Sequence, residues 1–146
     1  MELIAKATIQ IQKPVEEVYA AITDPEKMTK YFISESSGPI ETGKELTWGF
    51  PEFEGRFPVK NIVTVPDRSV SFVWDEDTVV HMELLPQPDH STVVKVTEGV
   101  KPFNEENLQW VIGNTEGWAN FLACLKAYIE YGVQLRKGAF EFMRKK

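Results

Sequence analysis

The stretch Gly117–Glu130, GWANFLACLKAYIE, decides the fold, because it forms the centre of a helical run that begins near Asn104 and ends near Gly132. Mostly apolar residues recur along this run at spacings of three and four, as one buried face of a helix requires. The residues on this stripe are Val111, Thr115, Trp118, Leu122, Leu125 and Ile129. A helix of about 27 residues is roughly 40 Å long at its rise of 1.5 Å per residue, which is enough to cross a small domain.

Two glycines, Gly113 and Gly117, lie about one turn apart in this helix. Each destabilises a helix interior by about 1 kcal/mol relative to alanine. Either they allow a close backbone approach or leave space at a binding surface, or they only relieve crowding around Trp118 and Phe121. The sequence leaves these interpretations open.

Upstream of the long helix, the pattern predicts a strand followed by two short helices. Residues 3–11 alternate between apolar and mostly polar side chains, which is typical of a half-buried strand. Pro14 suits the first turn of a helix that Asp24 and Pro25 end, and a second short helix then runs towards Phe32.

After residue 39 the pattern changes to period two, which predicts five further strands. These strands cover residues 45–50, 56–65, 69–74, 78–85 and 92–97, with a hairpin turn at residues 75–77. Their short links favour antiparallel pairing. The predicted fold class is therefore α+β, with a curved antiparallel sheet wrapped around one long C-terminal helix. Strict alternation directs eleven side chains inward: Trp48, Phe57, Val59, Val63, Phe72, Trp74, Val80, Met82, Leu84, Val94 and Val96.

This order of segments resembles the helix-grip (START-like, SRPBCC) superfamily over nearly the whole chain. The N-terminal part of the resemblance rests on residues 7–11 and 14–25 and on Tyr31 and Phe32. The family often has a tryptophan at the position of Tyr31. The remaining segments are similar to the C-terminal domain of the activator of the heat-shock chaperone ATPase, namely residues 55–57, Val59, 66–74, 117–118 and 125–130. The resemblance implies a single START-like domain, residues 1–146, with a cavity between the sheet and the long helix. It does not imply one ligand, because lipid carriers, cyclases and co-chaperones share the scaffold.

The resemblance and the apolar inward positions together predict that a small apolar or aromatic molecule binds in this cavity. The expected ligand-binding residues are Trp48, Phe57, Val59, Asn61, Phe72, Trp74, Met82, Trp118 and Phe121. Asn61 is the one polar residue among the otherwise apolar inward positions of its strand, so its side chain either binds a polar group of the ligand or pairs with a neighbouring side chain. Trp48 and Trp74 lie near strand ends, where they either contact the ligand or fill the core.

The sequence favours a role without catalysis, and no catalytic residue, metal or cofactor is predicted. His81 shares an outward strand face with Glu83, and His90 lies in a proline-rich turn. A metal site needs three or four ligands, and no third residue is spaced to join His81 and Glu83. Cys124 is expected to be a small core residue. Two alternatives remain: a co-chaperone module that stimulates a chaperone ATPase, and a cyclase or hydratase acting on a hydrophobic substrate.

Composition limits the partners. The 146 residues carry a net charge of −6, which disfavours binding to nucleic acid. No apolar run is long enough for membrane insertion, and the first residues lack the layout of a signal peptide, so a cytoplasmic location is expected. Five basic residues, Arg136, Lys137, Arg144, Lys145 and Lys146, fall in the last eleven positions. We expect this end to be solvated, although it could also touch an acidic partner or a membrane surface.

Overall fold

The computed structural model describes residues 1–74 and 78–144. The elements in chain order are β1 (Glu2–Ile11), α1 (Val15–Thr23), α2 (Pro25–Met28), β2 (Glu35–Ser36), β3 (Leu46–Gly49), β4 (Phe57–Val65), β5 (Ser69–Trp74), β6 (Thr78–Pro86), β7 (Thr92–Pro102) and α3 (Glu105–Tyr131). A single 3₁₀ turn follows at Glu141–Met143. The predicted turn at 75–77, and Lys145 and Lys146, lie outside the described residues.

Within the described residues, seven strands form one curved antiparallel sheet in the order β1-β7-β6-β5-β4-β3-β2. Helix α3 packs across β1 and β7, and α1 lies between β1 and α2 in the chain. The predicted α+β class, the curved sheet and the long C-terminal helix are confirmed. None of the helices described is both long and apolar enough to cross a membrane.

Helix α3 has the predicted length and the predicted ends. At its N-terminus the side chain of Asn104 accepts a hydrogen bond from the backbone N–H of Asn107 at 2.7 Å. At its C-terminus Gly132 adopts a left-handed conformation (φ 65°) that glycine takes without steric cost, and its N–H donates to the carbonyl of Tyr128 at 2.9 Å. The centre of the apolar stripe, Trp118, Leu122 and Leu125, is buried as expected.

The last turns of α3 are tied to the first strand. Lys126 Nζ donates to the carbonyl of Gln10 at 2.8 Å, and the Glu130 carboxylate accepts from the backbone N–H of Gln12 at 2.9 Å while pairing with Lys126. Burial raises the pKa of Glu130, but the hydrogen bonds from Lys126 and Gln12 outweigh it and leave that pKa below its ordinary value. The N-terminal strand and the C-terminal helix therefore form one unit.

Strict alternation fails in β4, where the inward placement of Asn61 and Val63 is wrong. Lys60 pairs with Val73, but the next pair joins Val63 to Ser71, so β4 contains one extra residue. This bulge reverses the faces beyond it: Ile62 is buried, whereas Asn61 is exposed and Val63 is 53% exposed. Asn61 sits at the bulge with φ 53°, a left-handed conformation that asparagine tolerates better than most residues. Asn61 is therefore not a residue of the interior.

The other inward predictions hold. Val59, Phe72, Val80, Met82, Leu84, Val94 and Val96 are buried, and Phe57 and Trp74 are partly buried. All of them except Phe57 belong to or pack against a single hydrophobic core, which also includes Trp48, the buried face of α3 and residues of α1. The alternation is reliable where no bulge interrupts a strand, because the side-chain period of a strand is two.

Neither crowding nor a close backbone approach explains the two helix glycines. A Cβ added at Gly113 or at Gly117 would meet no atom within 4 Å. Both positions are exposed on α3, so open space lies beside each of them.

Replacing Gly113 by alanine is therefore expected to stabilise the protein by about 0.5–1 kcal/mol, because alanine restricts the unfolded chain and meets no steric obstacle in the helix. Urea unfolding measures the change. Gly132→Ala is the matched control, and we expect it to destabilise the protein because Gly132 has a positive φ. A loss of stability in Gly113→Ala would mean that the helix backbone at this point is not regular.

Candidate ligand-binding site

The concave side of the sheet holds a cluster of seven aromatic rings, here called the aromatic cluster: Phe32, Trp48, Phe50, Phe72, Trp74, Trp118 and Phe121. Phe32 lies at its centre, with ring centroids 4.7 Å from Phe121 and 5.7 Å from Trp48. Trp74 connects the sheet to α3 through a 5.7 Å contact with Trp118. The structure thus brings together five of the predicted ligand-binding residues.

Several predicted ligand-binding residues lie in the core. Trp48, Val59, Phe72 and Met82 have no exposed surface, so no water-sized space touches them. Phe57 lies at the margin, where its ring centroid is 5.4 Å from that of Phe50. In this conformation a ligand reaches the buried residues only by displacing their neighbours.

Glu98 of β7 is a buried acidic residue that the sequence analysis missed. Its Oε1 accepts hydrogen bonds from Asn114 Nδ2 at 2.9 Å and from Trp118 Nε1 at 2.8 Å. Its Oε2 accepts from Trp74 Nε1 at 3.2 Å and from the hydroxyl of Thr78. A carboxylate offers about four lone-pair positions, so this one is fully used. Glu98 therefore joins α3 to three strands of the sheet.

The saturation of Glu98 limits its chemistry. A general base needs a free lone pair to take a proton, and here one of the four donors would first have to leave. The arrangement is that of a structural carboxylate. The sequence did carry a signal for it: the predicted strand ended at residue 97, but one more step of the alternation through Val94 and Val96 reaches Glu98.

Trp48 contributes a second unusual polar group. Its indole N–H is buried and has no hydrogen-bond partner among the residues that the structure describes. An unsatisfied buried donor destabilises a protein by about 1–3 kcal/mol. Such a donor can be satisfied by an acceptor oxygen brought in from outside.

The chain after α3, residues 133–144, folds back across one end of the aromatic cluster and is here called the C-terminal segment. Its Arg136 forms a bidentate ion pair with Glu52, at 2.7 and 3.1 Å. Both side chains are largely buried, and the guanidinium also lies 5.6 Å from the ring centroid of Phe50 and 5.0 Å from that of Phe140. Arg144 adds a hydrogen bond to the carbonyl of Pro51 at 2.7 Å. The C-terminal segment is therefore fixed to the loop after β3.

Between this segment and α3 lies an apolar cavity of about 150 Å³. Its walls are largely aromatic or sulfur-containing side chains, together with the open space beside Gly117. The lining residues that matter most are Phe32, Gly117, Phe121, Cys124, Phe140 and Met143. Phe32 and Phe121 belong to the aromatic cluster, so the cavity opens directly onto it.

The two histidines and the cysteine lie in different parts of the described structure. His81 is exposed on the outer face, as predicted, and His90 is exposed in the turn before β7. Burial raises the pKa of the Cys124 thiol, which disfavours the thiolate. Within residues 1–74 and 78–144, no three His, Cys, Asp or Glu side chains are placed to hold a metal ion.

Comparison with known proteins points to one family. Residues 12–130 match the family model described as Activator of Hsp90 ATPase homolog 1-like protein. No match was found among curated proteins.

Several solved structures are similar to this chain. The protein SSP2350 from Staphylococcus saprophyticus is 31% identical, with 92% of this chain and 96% of that chain covered and a TM-score of 0.81. The Aha1 dimer from Colwellia psychrerythraea is 20% identical, with 89% and 98% covered and a TM-score of 0.75. DynU16, described as a putative protein in the dynemicin biosynthetic locus, is 23% identical with a TM-score of 0.78, and the match covers 90% of this chain but 48% of DynU16. At these identities the last two show a shared fold.

Proposed function

The chain belongs to the family of Activator of Hsp90 ATPase homolog 1-like proteins, and within that family we propose that it binds a small, largely apolar molecule beside helix α3. The observation that carries the proposal is the apolar cavity of about 150 Å³ between α3 and the C-terminal segment. Its walls include Phe32, Phe121 and Phe140 together with Cys124 and Met143, so a ligand would meet aromatic and sulfur-containing surface.

The volume of the cavity limits the size of the ligand. An apolar cavity of about 150 Å³ in a protein is large enough to hold benzene. Burying about 200 Å² of ligand surface at 25 cal/mol per Å² gives roughly 5 kcal/mol before the entropy lost on association. We therefore expect a dissociation constant of about 0.2 mM or weaker for a ligand that makes apolar contacts alone.

A larger ligand has a route deeper into the aromatic cluster. Phe32 lines the cavity on one side and contacts Trp48 on the other. Displacement of the Phe32 ring would remove one of the rings that cover Trp48, and a ligand oxygen that reached the buried N–H would supply its missing acceptor. Trp48, Phe72 and Trp118 would contact a ligand only when it enters the aromatic cluster in this way.

The two helix glycines provide a matched test. Gly117 lines the cavity and Gly113 does not, although both lie on α3 with open space around them. We expect Gly117→Leu to fill part of the cavity and weaken the binding of phenol, indole or a hydrophobic dye at least tenfold, whereas Gly113→Leu leaves the affinity within about twofold. Titrations that follow tryptophan emission or the melting temperature measure the affinity.

Equal affinities in the two leucine variants would show that the ligand binds elsewhere. If none of these compounds changes the emission or the melting temperature of the wild-type protein, the cavity is a packing defect and the proposal fails.

The family description favours a second candidate, the stimulation of a chaperone ATPase. An ATPase assay with the cognate chaperone separates the two. Stimulation at micromolar protein that is unchanged in Gly117→Leu would favour the interaction module over ligand binding.

A further inference from the structure

A cleft with a basic rim adjoins the apolar cavity. It has a volume of about 310 Å³ and lies between the C-terminal segment, the residues after α2 and the loop after β3. Phe32 and Arg136 line both the cleft and the cavity. The two spaces are therefore neighbours that share part of their lining.

The cleft carries uncompensated positive charge. Its two acidic side chains, Glu52 and Glu141, are each paired with an arginine of the C-terminal segment. Lys30 and Lys137 also line the cleft, and neither forms an ion pair with any residue in the described part of the chain. Two ammonium groups without an ion-pair partner among the described residues thus line a cleft beside the apolar cavity, in a protein whose net charge is −6.

We propose that the ligand is an amphipathic carboxylic acid, with its ring or short aliphatic chain in the apolar cavity and its carboxylate between Lys30 and Lys137. This inference rests on the proposed function and adds the chemical class of the ligand. Arg136 and Glu52 both line the cleft, but their charges already satisfy each other, so the lysines supply the attraction for the anion. Because both lysines are exposed, this attraction is screened by salt.

The test compares phenylbutyrate with the neutral alcohol of the same carbon skeleton by isothermal titration calorimetry. We expect the wild-type protein to bind the acid about tenfold more tightly at low salt, and this preference to shrink as salt is added. The double variant Lys30→Gln/Lys137→Gln is expected to lose the preference for the acid while its affinity for the alcohol stays within about twofold.

The control is Lys6→Gln/Lys95→Gln, which removes the same charge from the outer face of β1 and β7. We expect it to keep the preference for the acid. The position of the apolar end is read from Cys124, the single cysteine of the chain, which lines the cavity and should react more slowly with iodoacetamide when the acid is bound.

The outcomes are distinct. Equal binding of acid and alcohol by the wild type, or a preference that survives in Lys30→Gln/Lys137→Gln, overturns the inference and leaves the proposed function in place. Unchanged Cys124 reactivity places the apolar end outside the cavity and also overturns it. If neither compound binds, the inference and the proposed function both fail.

Discussion

Replacement of Glu98 by glutamine is expected to destabilise the protein by about 3–5 kcal/mol, because the new amide group would point hydrogen-bond donors at existing donors. The carboxylate of Glu98 now accepts from two indoles, an amide and a hydroxyl. Glutamine retains one oxygen, so about two of the four donors would lose their acceptor inside the core. Urea unfolding followed by far-ultraviolet circular dichroism measures this loss.

Glu106→Gln makes the same chemical change in an exposed side chain of the first turn of α3, and we expect it to alter stability by about 0.5 kcal/mol or less. If Glu98→Gln were as mild as this control, the four hydrogen bonds would contribute little, and Glu98 would be available for another role.

Replacement of Trp118 by alanine is expected to lower the free energy of unfolding by about 3–5 kcal/mol, the range for a large aromatic residue removed from a core. Trp118 is 3% exposed at the centre of the apolar stripe of α3. It contacts Phe121 and Trp74 at ring distances of 5.3 and 5.7 Å, and it donates to Glu98. Urea unfolding again provides the measurement.

Two further variants separate the contributions of Trp118. Trp118→Phe keeps a ring but removes the donor to Glu98, so we expect a loss of about 1–3 kcal/mol. Trp110→Ala removes a partly buried tryptophan that is covered by Lys101, and we expect a loss of about 1 kcal/mol. A loss below about 1 kcal/mol for Trp118→Ala would contradict the position of this residue in the core.

The regular parts of the fold could be predicted from the sequence because they depend on period and on local signals. The stripe that includes Trp118 and Leu125 has helical spacing, and Asn104 and Gly132 have the side chains that helix ends prefer. The strands follow from alternation, which is why Phe72 of β5 and three residues of β6, Val80, Met82 and Leu84, are correctly predicted to be buried. Val70 and Thr78 are also buried, but they are not among the predicted inward residues.

The errors arise where a local irregularity, such as a bulge or a misplaced strand end, changes the assigned face of the residues that follow. The bulge at Asn61 reverses the faces of β4, and nothing in the alternation itself marks the position of an extra residue. Glu98 was missed because the strand was ended too early, which removed a charged residue from the inward face.

The candidate cavity depends on tertiary contacts that a pattern does not show. Arg136 and Glu52 are far apart in the sequence, so only the fold reveals that they form a buried pair. The same holds for the C-terminal segment, which the sequence analysis expected to be solvated. Of its aromatic residues, Phe140 packs on Arg136, whereas Phe142 is 78% exposed.

The pairing of β1 with β7 has a consequence for synthesis on the ribosome. Glu2 pairs with Pro102, so about 100 further residues must be synthesised before β1 can pair fully with β7. The hydrogen bond between Gln12 and Glu130 forms later still, after 118 further residues. At about 5–20 residues per second this delay is roughly 5–20 s. During that time the apolar face of β1 has neither its strand partner nor its helix. The strand β1 is therefore exposed to aggregation until β7 and α3 have been synthesised, and the native topology forms only after that point.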